Sequence, residues 1–160
     1  MMKVQLESPN QVDVIELIAE LDVFQDTLYP AEARYALDLT SLEQDNVLFA
    51  VVRDDDGIAI GCGAIVLSQE MDQANDSGEL KRMFVRPAYR SLGAATKVLE
   101  KLEEESAKRG CKLVQLETGP FQPQAIAFYK KHGFDICAAF GEYPEHHLSV
   151  FMQKRLDNTE

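Results

Sequence analysis

Residues 85–95 read Val-Arg-Pro-Ala-Tyr-Arg-Ser-Leu-Gly-Ala-Ala. A strand-like stretch stops at Pro87, and an amphipathic helix takes over from about Ser91 with Gly93 at its start. Glycine costs about 1 kcal/mol against alanine inside a helix, so its place here asks for a reason. The first turn of a helix carries unpaired N–H groups and the positive end of the helix dipole, a combination that attracts phosphate. Gly93 would let a pyrophosphate approach the backbone, Ala95 would keep the next approach small, and Arg90 would add positive charge. The same residues also suit an ordinary helix start with an incidental glycine. Two other phosphate motifs are excluded, since Gly-Lys-Ser/Thr never occurs and no GxGxxG is found.

Other chemistry-bearing residues point to less. Cys62, Cys111 and Cys137 are far apart, form no CxxC, and combine with His132, His146 and His147 into no zinc pattern. They read as reduced cysteines packed as small hydrophobes. The formal net charge of −11 argues against nucleic acid and is compatible with a cationic or amine-bearing substrate. No apolar run approaches the roughly 20 residues of a membrane span. The opening MMKVQLESPNQ has no apolar signal region, which leads to the expectation of a cytoplasmic protein without membrane contact.

The elements that must position these residues follow from periodicity. KVQLE alternates as a first strand. A helix after it places Val14, Ile15, Ile18, Leu21 and Phe24 on one face, with Asn10 as N-cap and Pro30 as a stop. A second short helix is expected from about Ala31, offering Ala33, Ala36, Leu37 and Leu39 for packing. NVLFAVVRDDDGIAIGCGAIVL is a hairpin, turning at Asp56-Gly57, and Gly61 and Gly63 suggest a bulge or a close backbone approach. ELKRMFVRP is a strand with Leu80, Met83 and Val85 apolar. From Ser91 to Arg109 a helix turns Ala95, Val98, Leu99, Leu102 and Ser106 inward, ending at Gly110. KLVQLET is a strand, PQAIAFYKKHGF a helix and HLSVFMQKRL a final strand. The order β-α-α-β-β-β-α-β-α-β-β makes a mixed α/β sheet with helices on its faces, in a single domain over 1–160.

Three segments in this order, GELKRMFVRPAYRSLGAA, AIAFYKKHGF and the surrounding β-α pattern, resemble the GNAT superfamily of acyl-CoA N-acyltransferases. RSLGAA fits its Arg/Gln-x-x-Gly-x-Gly/Ala signature as Arg90, Gly93 and Ala95. The resemblance implies a mostly antiparallel central sheet of about six to seven strands with a splayed central pair. It also implies acetyl-CoA as cosubstrate, its pyrophosphate on residues Arg90, Ser91, Leu92, Gly93, Ala94 and Ala95, and its pantetheine arm along the backbone of Met83, Phe84 and Val85. The thioester would then lie where RMFVRP and KLVQLET splay.

Acyl transfer to an amine must remove a proton, hold an oxyanion and protonate a departing thiolate. An alkyl amine of pKa about 10.4 is neutral only about once in a few thousand molecules at pH 7, so a base is useful. The resemblance puts a carboxylate base at Glu79, commonly acting through water, and a leaving-group acid at Tyr129; without Glu79 the proton would leave through water or another carboxylate such as Glu117. A backbone N–H near Phe84 or Val85 would hold the oxyanion. Each residue also has a plainer reading: Glu79 as a strand-end carboxylate beside Lys81 or Arg82, Tyr129 as a packed aromatic beside Phe128 and Phe134. One departure concerns Gln122, which stands where the family often has the Asn that contacts pantetheine. Ser91 and Leu92 likewise replace basic or glycine residues often found in the loop.

The acceptor pocket of this architecture is expected from the first helices and the last hairpin, where Phe24, Tyr29, Tyr35, Tyr143, His146 and His147 stand. Together these readings favour an acetyl-CoA-dependent N-acetyltransferase acting directly on a small amino-acid-like or polyamine-like amine, with homodimerisation left open. A non-catalytic acyl-CoA sensor and a protein N-terminal or lysine acetyltransferase are the alternatives.

Overall fold

Buried apolar residues are spread over nearly every residue of two neighbouring strands, and this decides the layering. β2 (Val47–Arg53) sends Leu48, Ala50 and Val52 to one face and Phe49 and Val51 to the other, all buried. A strand apolar on both sides must be covered on both sides. The computed structural model, which describes residues 1–33 and 38–156, shows how. α1 (Val12–Leu28) covers one face through Val14, Leu17 and Leu21. α3 (Ala94–Lys108) and α4 (Pro123–Lys131) cover the other, α3 through Ala94, Val98, Leu99 and Leu102.

Among the described residues, seven strands form one sheet in the order β1-β2-β3-β4-β5-β7-β6. The remaining members are β1 (Lys3–Leu6), β3 (Ala59–Leu67), β4 (Ser77–Val85), β5 (Leu113–Thr118), β6 (Asp135–Cys137) and β7 (Val150–Arg155). All neighbours run antiparallel except β4 and β5, which are parallel and joined through α3. This is the mixed sheet expected from the order of elements.

Several local expectations shift. The first helix buries Leu17, while Ile15 and Phe24 are on the solvent side at 41% and 36% exposure. A helix laid on one sheet face buries a narrower stripe than its apolar residues could fill. Asn10 is not the cap; Gln11 holds that position without a side-chain cap bond. Where the second helix is expected, the described residues form a 3₁₀ turn at Ala31–Ala33 and a one-turn α2 (Leu39–Leu42) capped by Asp38, whose carboxylate accepts from the Ser41 N–H at 2.8 Å. Ala36 and Leu37 lie outside the described residues. α3 begins three residues later than Ser91, because Gly93 occupies its N-cap.

Candidate active site

β4 and β5 pair only over Ser77–Leu80 and Leu113–Leu116. Beyond Leu80 the strands part, and the cause is visible in β4. Cys62 of β3 faces Phe84 while Ala64 faces Lys81, so Gly63 alone is matched by both Arg82 and Met83. The extra residue is taken up by Arg82, whose φ of 60° is rare for a side-chain-bearing residue. Gly63 makes room for it. A Cβ there would stand 2.4 Å from Met83 Sδ and 2.9 Å from Val98 Cγ1. The Arg82 guanidinium turns to α1, where it meets Asp22 at 2.6 Å. Its carbonyl accepts from the Cys62 thiol at 3.3 Å, and burial pushes that thiol up to about 12, so it keeps the proton it donates.

The parting strands leave two cavities that share Leu21, Met83, Gln122, Ala125 and Tyr129 in their walls. The larger, about 700 Å³, runs from Phe84 and Val85 past Arg90, Ser91 and Gly93 to the start of α3 and along α4. The smaller, about 140 Å³, lies between the end of α1 and β5 and includes Gln25, Tyr29, Lys81, Glu117 and Leu148.

Gly93 has φ 89°, while a Cβ on it would meet nothing within 4 Å. Its glycine is therefore required by the left-handed backbone that starts α3, not by crowding within the chain. That turn leaves the outer side of Gly93 open to the cleft. Ser91 also has a positive φ, 65°, and Leu92 is exposed. Ala94 is buried in the core, and its contribution to the cleft is its place at the head of α3. The Arg90 guanidinium is drawn inward: its Nε donates to the Val85 carbonyl at 2.9 Å, and it lies over the rings of Phe24 and Phe84.

Tyr129 is buried where the cavities meet, and its hydroxyl takes part in no hydrogen bond among the described residues. Burial raises its pKa, so the phenol is protonated throughout the neutral range. Glu79 is committed elsewhere. Its carboxylate accepts from the Tyr143 hydroxyl and pairs with Lys81 at 3.3 Å, and Lys81 also donates to Tyr143 at 2.5 Å. Glu79 lines neither cavity. Glu117, one residue past the last β4–β5 pair, does line the smaller one. Burial pushes its carboxyl up to about 7, against the opposing influence of the Ser149 hydroxyl and the Lys81 charge, while the Glu79 charge pushes the same way as burial.

The expected acceptor residues are divided. Tyr29 is in the smaller cavity, buried flat against Gly119, with its hydroxyl accepting from the Phe121 N–H at 3.2 Å and its ring stacked on Phe121. Phe24 belongs to the larger cleft instead. Tyr143 is beside Glu79, packed against Phe140 and Phe151. His146 and His147 stack on each other, His146 accepts from the Leu148 N–H, and neither lines either of these two cavities. Tyr35 lies outside the described residues. Lys81, Gln25 and Leu148 were not anticipated as cavity residues, because only the folded chain brings β4, α1 and the loop before β7 together. Gln122 holds the N-cap of α4 and lines both cavities.

Residues 13–134, which contain the cleft, the bulge and Tyr129, match the Acetyltransferase (GNAT) family. The chain belongs to this family. It is an acyl-CoA-dependent acetyltransferase, and acetyl-CoA is its cosubstrate. It is 42% identical over 150 residues to the IAA acetyltransferase of Azospirillum brasilense, covering 94% of this chain and 95% of that one. An N-acetyltransferase of Bacillus subtilis is 33% identical, over 97% of this chain and 100% of its own. Among solved structures, an acyl-CoA N-acyltransferase assigned in Klebsiella pneumoniae superposes with a TM-score of 0.84 at 38% identity, covering 98% of both chains. Among the described residues, no group of His, Cys, Asp and Glu could hold a metal ion, and no helix is long and apolar enough to cross a membrane.

Proposed function

We propose that this acetyltransferase moves the acetyl group of acetyl-CoA directly to the amine of a small molecule. The observation that carries the reading is the junction of the two cavities at Met83 and Tyr129, where β4 and β5 part. A long cleft ending at a helix N-terminus suits the cosubstrate, and a small chamber across the junction suits the amine-bearing end of an acceptor. At about 140 Å³ the chamber falls below the roughly 300 Å³ of a typical ligand pocket, which favours a small group over a folded protein surface. The name of the Azospirillum relative, IAA acetyltransferase, supports a small-molecule acceptor too.

In this reading the free edge of Met83–Val85 binds the pantetheine arm as an added strand would. The N–H groups at the head of α3 and the left-handed turn at Gly93 take the pyrophosphate. Acetyl-CoA supplies the activated acyl carbon. Tyr129, held protonated by burial, donates to the sulfur as negative charge develops there. Direct transfer is favoured over a cysteine intermediate, since Cys62 and Cys111 are buried and burial raises both thiols, Cys62 to about 12. Thiol release from acetyl-CoA, followed over a panel of small amines, tests the reading. Amine-dependent release with a matching N-acetylated product is expected; none from any amine, with coenzyme A bound, overturns it.

A further inference from the structure

Glu117 is set apart from the other carboxylates of this chain by where its strand puts it. It is the first residue of β5 beyond the pairing with β4, so the parting of the strands opens directly beside it. It forms part of the wall of the small chamber, which it shares with Met83 and Tyr129 at the junction. The charged groups nearby are arranged around it. From β4 come Lys81 and Glu79, joined to each other and to Tyr143, and Arg82, which is spent on Asp22 of α1. From the residue that caps the end of α1 comes Tyr29, whose phenol feels the Glu117 charge, and from the loop before β7 comes Ser149. Glu79, with its carboxylate in the Lys81–Tyr143 cluster, is not part of this wall.

We infer that Glu117 is the catalytic residue that takes the proton from the attacking amine, and that the neighbouring pair Glu79 and Lys81 are positioning residues that act through it. The inference rests on the acyl-transfer reading above. The amine enters the chamber as the ammonium ion and gives one N–H proton to the Glu117 carboxylate. Its lone pair then forms the C–N bond, the C–S bond breaks with its electron pair going to sulfur, and Tyr129 gives its hydroxyl proton to the departing thiolate. The second N–H proton passes from the product nitrogen through solvent to the Tyr129 phenolate, and the proton held by Glu117 returns to water. A base of this kind works best when its pKa is near the working pH. Burial holds the Glu117 carboxyl near 7, which makes it a stronger base than an ordinary carboxylate, narrows the gap to the alkylammonium ion and leaves it substantially ionised near neutral pH. The Lys81–Glu79 pair acts on it in opposite directions, which makes the arrangement testable.

The experiment is a kcat–pH profile, from pH 5.5 to 9.5, with one alkyl amine for which the wild-type enzyme releases thiol. The wild type should lose activity below a midpoint near 7. Glu117→Gln should be slower by on the order of 10²-fold at pH 6 to 7, within the usual range for removing a general base. That deficit should shrink towards pH 9.5, as solvent deprotonates the amine, and calorimetry should show unchanged coenzyme A affinity. Glu79→Gln removes the charge that raises Glu117 and should move the wild-type midpoint down, whereas Lys81→Met removes the charge that lowers it and should move it up. A Glu117→Gln profile that keeps the wild-type midpoint overturns the assignment, as does an equal deficit at every pH, which marks a packing role. Should Glu117→Gln not fold, carbon-13 titration of Glu117 in the wild type decides: a midpoint near 7 supports the role, and titration with the ordinary carboxylates near 4.5 overturns it. Absence of thiol release by the wild type from any amine is a different failure, that of the acyl-transfer reading itself.

Discussion

The two cavities on either side of Tyr129 are made of different materials. The larger cleft is built by backbone: the unpaired edge of β4, the left-handed turn at Gly93 and the head of α3. Its one nearby cation in the signature, Arg90, is turned onto the Val85 carbonyl. The small chamber is built by side chains from separate elements, with Tyr29 from the cap that ends α1, Lys81 from β4, Glu117 from β5 and Leu148 from the loop before β7. A backbone site needs a few residues in one short stretch and can be kept with little else unchanged. A side-chain site depends on residues far apart in the chain, so a single substitution on any one of its elements reshapes it.

The largest effect should come from charging the backbone site. Gly93→Glu puts a carboxylate and a bulky side chain at the head of α3 and should weaken coenzyme A binding by about 100-fold or more. Gly93→Ala is the control. It meets no atom within 4 Å, so it should cost only the strain of a positive φ, about 1 kcal/mol, with binding largely kept. Calorimetry and thermal melts separate the two; equal, strong coenzyme A binding by both variants would show that the pyrophosphate is held elsewhere.

At the junction, Tyr129→Phe should lower kcat on the order of 10²-fold while leaving coenzyme A affinity nearly unchanged, because the hydroxyl acts on charge that appears only during transfer. Stability should hardly move, since the hydroxyl bonds to no described residue. A variant that binds coenzyme A poorly but turns over normally would reassign Tyr129 to the cleft alone.

On the chamber side, Gly119→Ala would place a methyl 2.0 Å from the Tyr29 hydroxyl. Tyr29 cannot yield without losing its bond to the Phe121 N–H and its stack on Phe121. A loss of about 1–3 kcal/mol is expected in denaturant unfolding, with a raised KM for the amine and not for acetyl-CoA. Unchanged amine KM would detach Tyr29 from the acceptor.

The smallest effect is a pH-dependent gain in stability. Glu117 holds its proton more tightly in the folded chain than in the unfolded one, so folding takes up a proton between about pH 4.5 and about 7. Stability contributed at low pH is then lost as pH rises through that window. Glu117→Gln should match the wild type below pH 4.5 and exceed it at pH 8 by about 1–2 kcal/mol, after allowing for partial solvent exposure. Parallel melting curves for the two proteins across pH 4 to 8 would place Glu117 in water.

The backbone half of the site was readable because each of its requirements is local. Gly93 is called for by the φ of one residue, the head of α3 by a helix beginning after Pro87, and the hairpin turn by Asp56-Gly57. Gly61 and Gly63 announced an irregularity in β3, and the paired bulges are there. What could not be read is which partner strand carries the extra residue: Arg82 has no sequence mark of a left-handed residue, and its conformation follows from matching β4 to Gly63 and to Asp22 on α1. Phe24 and Ile15 were misplaced for a related reason, since periodicity marks a face but not how much of it a sheet will cover.

By itself, then, the order of residues determined the sheet-and-helix succession, the turn at Gly93, the tyrosine of α4 and the family to which they belong, because helix periodicity, glycine φ and short motifs are properties of neighbours along the chain. The tertiary structure decided which carboxylate meets the chamber. Glu79 and Glu117 are both strand carboxylates and look alike in sequence. They differ because β4 carries Lys81 two residues from Glu79 and Tyr143 bonds to both, while the parting of β4 from β5 begins at Glu117 and leaves it half-buried with no salt bridge among the described residues. Burial and charge pairing depend on residues distant in the chain, and they set the protonation of a group that sequence can only name.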